Sequence, residues 1–273
     1  AVPGAGTTPT TVTALLRRLG ATLILPHVTG WSRLRPLRRD SGCRLARATA
    51  RYLGDAEHFA VTYGDGLADR VRAVEERDRE LLTAEADPVH PARIYGELLP
   101  RLADDAVVIG DGGDFVSFAG KFVEPQRPGC WLDPGPFGCL GAGMGAAIAA
   151  RIARPSSQVV LLLGDGAAGF ALSDVDTLVR HRLPVVMVMG NNSAWALEKG
   201  PMQMIYGYDV VADLAPRTRY DQVVTALGGG GELVTDPREI GPALDRAFAA
   251  GVPYLVNVVT DVNAAYPRST LGI

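Results

Sequence analysis

Cysteine is scarce in this sequence. Only Cys43, Cys130 and Cys139 occur in 273 residues, and no Cys-x-x-Cys spacing is present. An odd, sparse set of this kind excludes a disulfide framework and points to a reducing compartment, so a cytoplasmic location is expected. Long apolar runs are also missing. None approaches the roughly 20 residues that cross a bilayer as a helix, so no membrane partner is expected. Net charge is small, −3, which gives no reason to expect nucleic acid. Histidine is rare: His27, His58 and His90 have no supporting pattern, and His181 follows a helical stretch and reads as a surface residue.

The small net charge hides an asymmetry. Residues 1–51 carry nine arginines and one acid, Asp40, for a charge of +8, and the remainder sums to −11. An Arg-rich, acid-poor start fits the composition of a transit peptide. The preferred reading is a remnant of a larger region, possessing no clear periodicity of its own. The chain begins with Ala rather than Met, as a processed product or a fragment would. Residues 1–60 are therefore set apart as a basic segment, a candidate remnant of a middle domain. Residues 61–88 are read as a connecting helix. Within them, "DGLADRVRAVEERDRELLTAEAD" has a partial apolar stripe and ends at Pro88.

From residue 89 to 273 the texture becomes regular. "AVVIGDGGD", "QVVLLLGDG", "LPVVMVMGNN", "GELVTD" and "VPYLVNVVTD" read as buried strands. Helical patterns such as "PARIYGELLPRL", "ALSDVDTLVRHR" and "PREIGPALDRAFAAG" separate them. Near-continuous apolar strands alternating with helices predict an α/β domain with a doubly wound parallel sheet. Ligands of such sheets bind at the carboxyl ends of the strands.

Two of those ends draw attention together. Gly164-Asp165-Gly166 closes one strand and Asn191-Asn192 closes the next, with 24 residues between Gly166 and Asn191. A right-handed crossover would bring these ends side by side. A carboxylate and an amide oxygen facing one point suit Mg²⁺, which keeps water and takes phosphate oxygens. Glycines beside Asp165 would let backbone N–H groups reach a phosphate. Asp165 would then hold a cation that holds a diphosphate. The plain alternative is that both motifs are turns. A third reading is a dinucleotide fingerprint, since Gly141-x-Gly143-x-x-Ala146 fits Gly-x-Gly-x-x-Ala. Against it, "DPGPFGCLG" is a Pro/Gly loop where a strand should lead in.

The strand, Gly-Asp-Gly, helix, strand, Asn-Asn series resembles the thiamin diphosphate-binding motif. From about Pro88 onward the chain is similar to the diphosphate-binding domain of the acetolactate synthase family. Relatives of that family include 2-hydroxyacyl-CoA lyase, oxalyl-CoA decarboxylase and benzoylformate decarboxylase. The resemblance implies thiamin diphosphate and Mg²⁺ as cofactors. It implies Asp165, the Asn192 side chain and the Ala194 carbonyl as metal ligands. It also implies Gly138, Cys139, Leu140, Gly164, Gly166, Ala167 and Asn192 as cofactor contacts, with Leu140 supporting the thiazolium. A bland reading of Leu140 as core remains open. The stretch "SAWALEKGPMQMIYGYDV" is expected to form a loop covering the cofactor, with Trp195 and Glu198 toward substrate; a helix with Trp195 packed inward is the alternative.

The same resemblance implies a carboligase or decarboxylase acting on 2-oxo acids, acetolactate synthase-like, as in branched-chain amino acid biosynthesis. Lyase or decarboxylase action on 2-hydroxyacyl- or oxalyl-CoA is the alternative, and a truncated, non-catalytic cofactor-binding module is another. Family members also carry a pyrimidine-binding domain whose glutamate activates the cofactor. No part of residues 1–87 matches it, so no catalytic glutamate is assigned. That domain, from another chain or region, is an expected partner, and homo-oligomerisation is expected from apolar surface left without it.

Overall fold

The computed structural model describes residue 73 and residues 76–135, 138–264 and 266. The basic segment 1–60 lies outside the described residues. So does most of the first half of the connecting helix; residues 76–82 are helical, and the helix ends there.

The strands are β1 (Val107–Asp111), β2 (Trp131–Leu132), β3 (Val159–Gly164), β4 (Val186–Asn191), β5 (Gly230–Val234) and β6 (Tyr254–Val259). They form one sheet in the order β2-β1-β3-β4-β6-β5, and every pairing is parallel. Parallel neighbours require crossovers over a face, and the helices supply them. These are α1 (Pro91–Leu98), α2 (Asp114–Phe122), α3 (Ala142–Ala153), α4 (Asp165–Ala171), α5 (Val175–Arg180), α6 (Ala196–Tyr206), α7 (Tyr220–Ala226) and α8 (Ile240–Ala249).

Strand side chains alternate between two cores. Val108, Val160, Leu162, Val188 and Val256 pack with Ile94 and Tyr95 of α1, Phe115 and Phe118 of α2, and Leu244 of α8. Ile109, Leu161, Leu163, Met187 and Leu255 pack with Met144 of α3, Val175 and Leu178 of α5, and Val224 of α7. Both faces are thus covered, which is why the strands read as unbroken Val/Leu runs.

The structure adds elements that the sequence pattern does not disclose. The two-residue β2 extends one edge of the sheet. Residues 114–122 form α2, since Phe115, Phe118 and Ala119 fall on one buried face despite the glycines just before them. The Gly-Asp-Gly turn after β3 coils at once into α4. The expected cover loop is corrected to a helix, α6, the alternative reading of that stretch. Ala-Leu-Glu-Lys favours that state, and the helix stops at Gly207, left-handed at φ 77, whose N–H donates to the Gln203 carbonyl at 2.9 Å.

Tyr95 ties α1 to α2: its buried hydroxyl donates to the Phe115 carbonyl at 2.7 Å. Tyr95→Phe should lower the unfolding free energy by about 1–2 kcal/mol, because a buried carbonyl loses its partner. Urea denaturation of the two chains, with an unchanged slope, checks this.

Candidate functional site

Every strand of a parallel sheet ends at the same edge, and the register shows what gathers there. Gly164 of β3 pairs with Gly190 of β4, and Asn191 pairs with Val259 of β6. The ends of β3 and β4 are therefore neighbours, as the crossover argument requires.

Asp165 opens α4 at this edge and is 2% exposed. Its Oδ2 is buried and has no hydrogen-bond partner among the described residues. Burial pushes its carboxyl up to about 6, an effect partly countered by the backbone N–H groups of Ser193, Gly166 and Ala194. Those neighbours place the Asn-Asn-Ser-Ala turn directly against it. In that turn the Asn192 Oδ1 accepts from the Ala194 N–H at 3.1 Å, and Ser193 is left-handed at φ 58. An amide oxygen has a second lone pair, so Asn192 can still meet a cation. Asn191 points the other way: fully buried, its Nδ2 donates to the Thr218 carbonyl at 3.2 Å and to Asn257 Oδ1 at 3.1 Å. Tyr220, at the start of α7, is a site neighbour that sequence reasoning misses. Burial raises its hydroxyl pKa and the Asp165 carboxylate raises it further.

The walls of the edge are set by close approach. Trp195 lies on Gly166, where an added Cβ would come within 2.6 Å of the indole ring. Phe170 meets Trp195 edge to face at 6.1 Å between centroids. Trp195 is thus packed against α4. Glu198 is exposed on α6, and no described contact brings it to Asp165.

Gly141 and Gly143 have a different task from the one a dinucleotide fingerprint would give them. Their N–H groups donate to Asp111 Oδ1 and Oδ2, each at 2.9 Å. An added Cβ at Gly143 would sit 2.4 Å from Asp111 Cβ. The first-turn donors of α3 are thereby taken by the chain's own carboxylate and do not face a phosphate. The preceding loop is open: Gly138 and Cys139 are exposed, and Leu140 is half-buried and belongs to neither core. Gly141 abuts Phe170, which brings the loop alongside α4.

Among the described residues, no three His, Cys, Asp or Glu side chains cluster to hold a metal. A cation at Asp165 would need the amide, a backbone carbonyl, water and ligand oxygens, a donor set that fits Mg²⁺. A cavity of about 330 Å³ opens instead at the opposite edge, lined by Leu99, Leu102, Phe122, Val123 and Cys130. No unpartnered buried polar atom lines it, so the functional reading stays with Asp165.

Comparison with known proteins gives the family. The family described as thiamine pyrophosphate enzyme, C-terminal TPP binding domain, matches residues 111–258. The chain belongs to this family. It is 56% identical over 207 residues to the acetolactate synthase large subunit of Mycobacterium tuberculosis, covering 74% of this chain and 38% of that protein. It is 40% identical over 193 residues to 2-hydroxyacyl-CoA lyase 2 of Caenorhabditis elegans, covering 66% of this chain and 30% of that one. The fold matches a thiamine diphosphate-dependent 4-hydroxybenzoylformate decarboxylase from Rhodococcus jostii at a TM-score of 0.60, with 23% identity over 65% of this chain and 34% of that one. The chain thus spans well under half the length of these relatives.

Asp111 should matter for stability. Asp111→Asn leaves one of two helix donors without its carboxylate oxygen and should cost about 1–3 kcal/mol. Equilibrium unfolding in urea measures it; Gly143→Ala should fall in the same direction.

Proposed function

We propose that residues 89–273 are the diphosphate-binding part of a thiamin diphosphate-dependent carboligase or decarboxylase acting on 2-oxo acids, acetolactate synthase-like. The observation that carries this reading is the unpartnered Oδ2 of Asp165 in a buried position at the strand-end edge. A carboxylate oxygen kept out of water with no donor on it is costly, and a bound cation would remove the cost. Family membership and the 56% identical relative support the choice of cofactor and reaction.

In this reading Asp165, Asn192 Oδ1 and the Ala194 carbonyl hold Mg²⁺. Gly164, Gly166 and Ala167 would line the diphosphate. Gly138, Cys139 and Leu140 form the rim that meets the rings of the cofactor. Thiamin diphosphate, when bound, supplies the electron sink that lets a 2-oxo acid lose CO₂ and its remaining fragment join an acceptor. Trp195, seated on Gly166, fixes the wall beside α4. Action on 2-hydroxyacyl-CoA is the second reading, favoured by the 40% identical lyase.

The acid–base group that activates the cofactor would come from a pyrimidine-binding domain elsewhere in the protein or on another chain. Met204, Ile205, Tyr206, Tyr208, Val210 and Val211 are all exposed, and no residue of α6 is buried. That apolar surface is suited to such a partner or to a second copy. Cytoplasmic location and a place in branched-chain amino acid biosynthesis follow the same reading. No helix among the described residues is long and apolar enough to cross a membrane.

Calorimetric titration with thiamin diphosphate tests the site. Binding should require Mg²⁺, vanish with EDTA, and be absent in Asp165→Ala. Heat from wild type that is indifferent to Mg²⁺ would sink the metal-bridge reading. A second measurement is independent of binding heat. Without metal, Asp165→Asn should melt at or above the wild-type midpoint, because it removes a buried charge whose Oδ2 has no donor while its remaining amide oxygen can still accept from the turn. With Mg²⁺ and cofactor, only wild type should gain stability.

A further inference from the structure

The strand β6 reads Tyr-Leu-Val-Asn-Val-Val, and its asparagine, Asn257, is 0% exposed. An amide in the middle of an apolar strand is tolerated only if its polar atoms are all bonded. They are. Asn257 Nδ2 donates to Asp221 Oδ1 and to the Thr218 carbonyl, both at 3.1 Å. Its Oδ1 accepts from Asn191 Nδ2 at 3.1 Å. Asn191 Oδ1 in turn accepts from the Ser193 hydroxyl at 3.4 Å. At the other end Arg219 donates to both oxygens of Asp221, with its Nη2 at 2.6 Å from Oδ2.

This chain of groups leads to one place. It begins on α7, passes through the buried sheet and ends on the turn that faces Asp165. The residues just before α7 close over the same turn: Leu214 N–H donates to the Ser193 carbonyl at 2.8 Å, and Arg217 N–H to the Ser193 hydroxyl at 3.1 Å. Ser193 is thereby held in its left-handed conformation, and the direction of the Asn192 side chain and of the Ala194 backbone follows from it. Burial pushes the Asp221 carboxyl up, but Arg219 and the Asn257 amide outweigh burial and hold it below the usual carboxylate range. A buried polar network in a sheet otherwise filled by Val, Leu and Met breaks the local pattern where a functional constraint would be expected to break it.

We propose that Asp221 and Asn257 are positioning residues for cation binding: through Asn191 they fix the Asn192–Ala194 turn against Asp165. The inference rests on the proposed role of Asp165 and Asn192 as cation ligands. Groups that orient ligands in this way carry much of a site's metal affinity.

The test is the Mg²⁺ concentration that half-saturates thiamin diphosphate binding, measured by calorimetry on the full chain. Each variant is measured at a temperature where far-ultraviolet circular dichroism shows it folded. Asn257→Leu and Asp221→Leu should raise the half-saturating Mg²⁺ by about 10- to 100-fold. Asp221→Asn keeps an acceptor for the Asn257 amide and should stay within about threefold of wild type. A residue that only stabilises the fold would lower the melting midpoint without moving Mg²⁺ saturation of the folded protein. Folded Leu variants that take up Mg²⁺ at the wild-type concentration would overturn the inference, as would Asp221→Asn behaving like Asp221→Leu. If Asn257→Leu does not fold, the two Asp221 variants decide. Wild type without Mg²⁺-dependent binding would overturn the cofactor reading and this inference together, whereas unchanged variants beside a binding wild type remove this inference alone.

Discussion

A carboxylate oxygen that leaves water must be met by something, and Asp165 Oδ2 is met by no hydrogen-bond donor among the described residues. The surrounding architecture makes sense around that constraint. A parallel sheet sends the ends of β3 and β4 to one edge, and the turn after each must pass beside the other. Asp165 sits on the first turn and the Asn-Asn-Ser-Ala stretch on the second. Hydrophobic burial of the Val and Leu strands brings them together, and neither turn could hold the other without it. The sheet thus supplies the stability that tolerates a costly group at its edge.

The rest of this edge is closely fitted. Gly143 lets α3 come down on Asp111, and Gly166 lets Trp195 lie on α4. Each contact needs the absence of a Cβ, and each joins residues some 30 positions apart in the chain. The two glycine-bearing motifs therefore do different things. One presents backbone donors to a carboxylate of the protein. The other leaves room for an aromatic wall beside the candidate ligand site.

Much of this could be seen in the sequence, for physical reasons that differ by element. The β3 and β4 strands were legible because burial on both faces demands unbroken apolar runs. The approach of Asp165 to the Asn191–Ala194 stretch was legible because crossover handedness is nearly invariant. The helices α2 and α4 were not, because glycines at their starts mask a helical period that only burial reveals. The helix α6 stood in the sequence only as the alternative to a covering loop, because it has no buried face to mark its period. Asp111 and the Asp221–Asn257 pair were hidden for another reason. Their partners are Gly141, Gly143, Asn191 and the Thr218 carbonyl, and no local pattern encodes bonds over such separations. The asparagine inside an otherwise apolar β6 was the available signal for the last of these.

Asp111, Asp165 and Asp221 are all buried, yet burial alone assigns none of them a role. Their hydrogen bonds do. Asp111 is satisfied by two backbone donors of α3. Asp221 is satisfied by a guanidinium and an amide. Removing either aspartate leaves donors without acceptors, so both belong to the fold in the first instance. Asp165 also accepts from the backbone N–H groups of Ser193, Gly166 and Ala194, but its Oδ2 is left over, with no donor among the described residues. An oxygen buried without a donor is a cost to the folded chain, and a ligand from outside the chain would lift it. That left-over oxygen, more than burial or proximity, distinguishes the proposed ligand carboxylate from the two whose oxygens the chain itself satisfies.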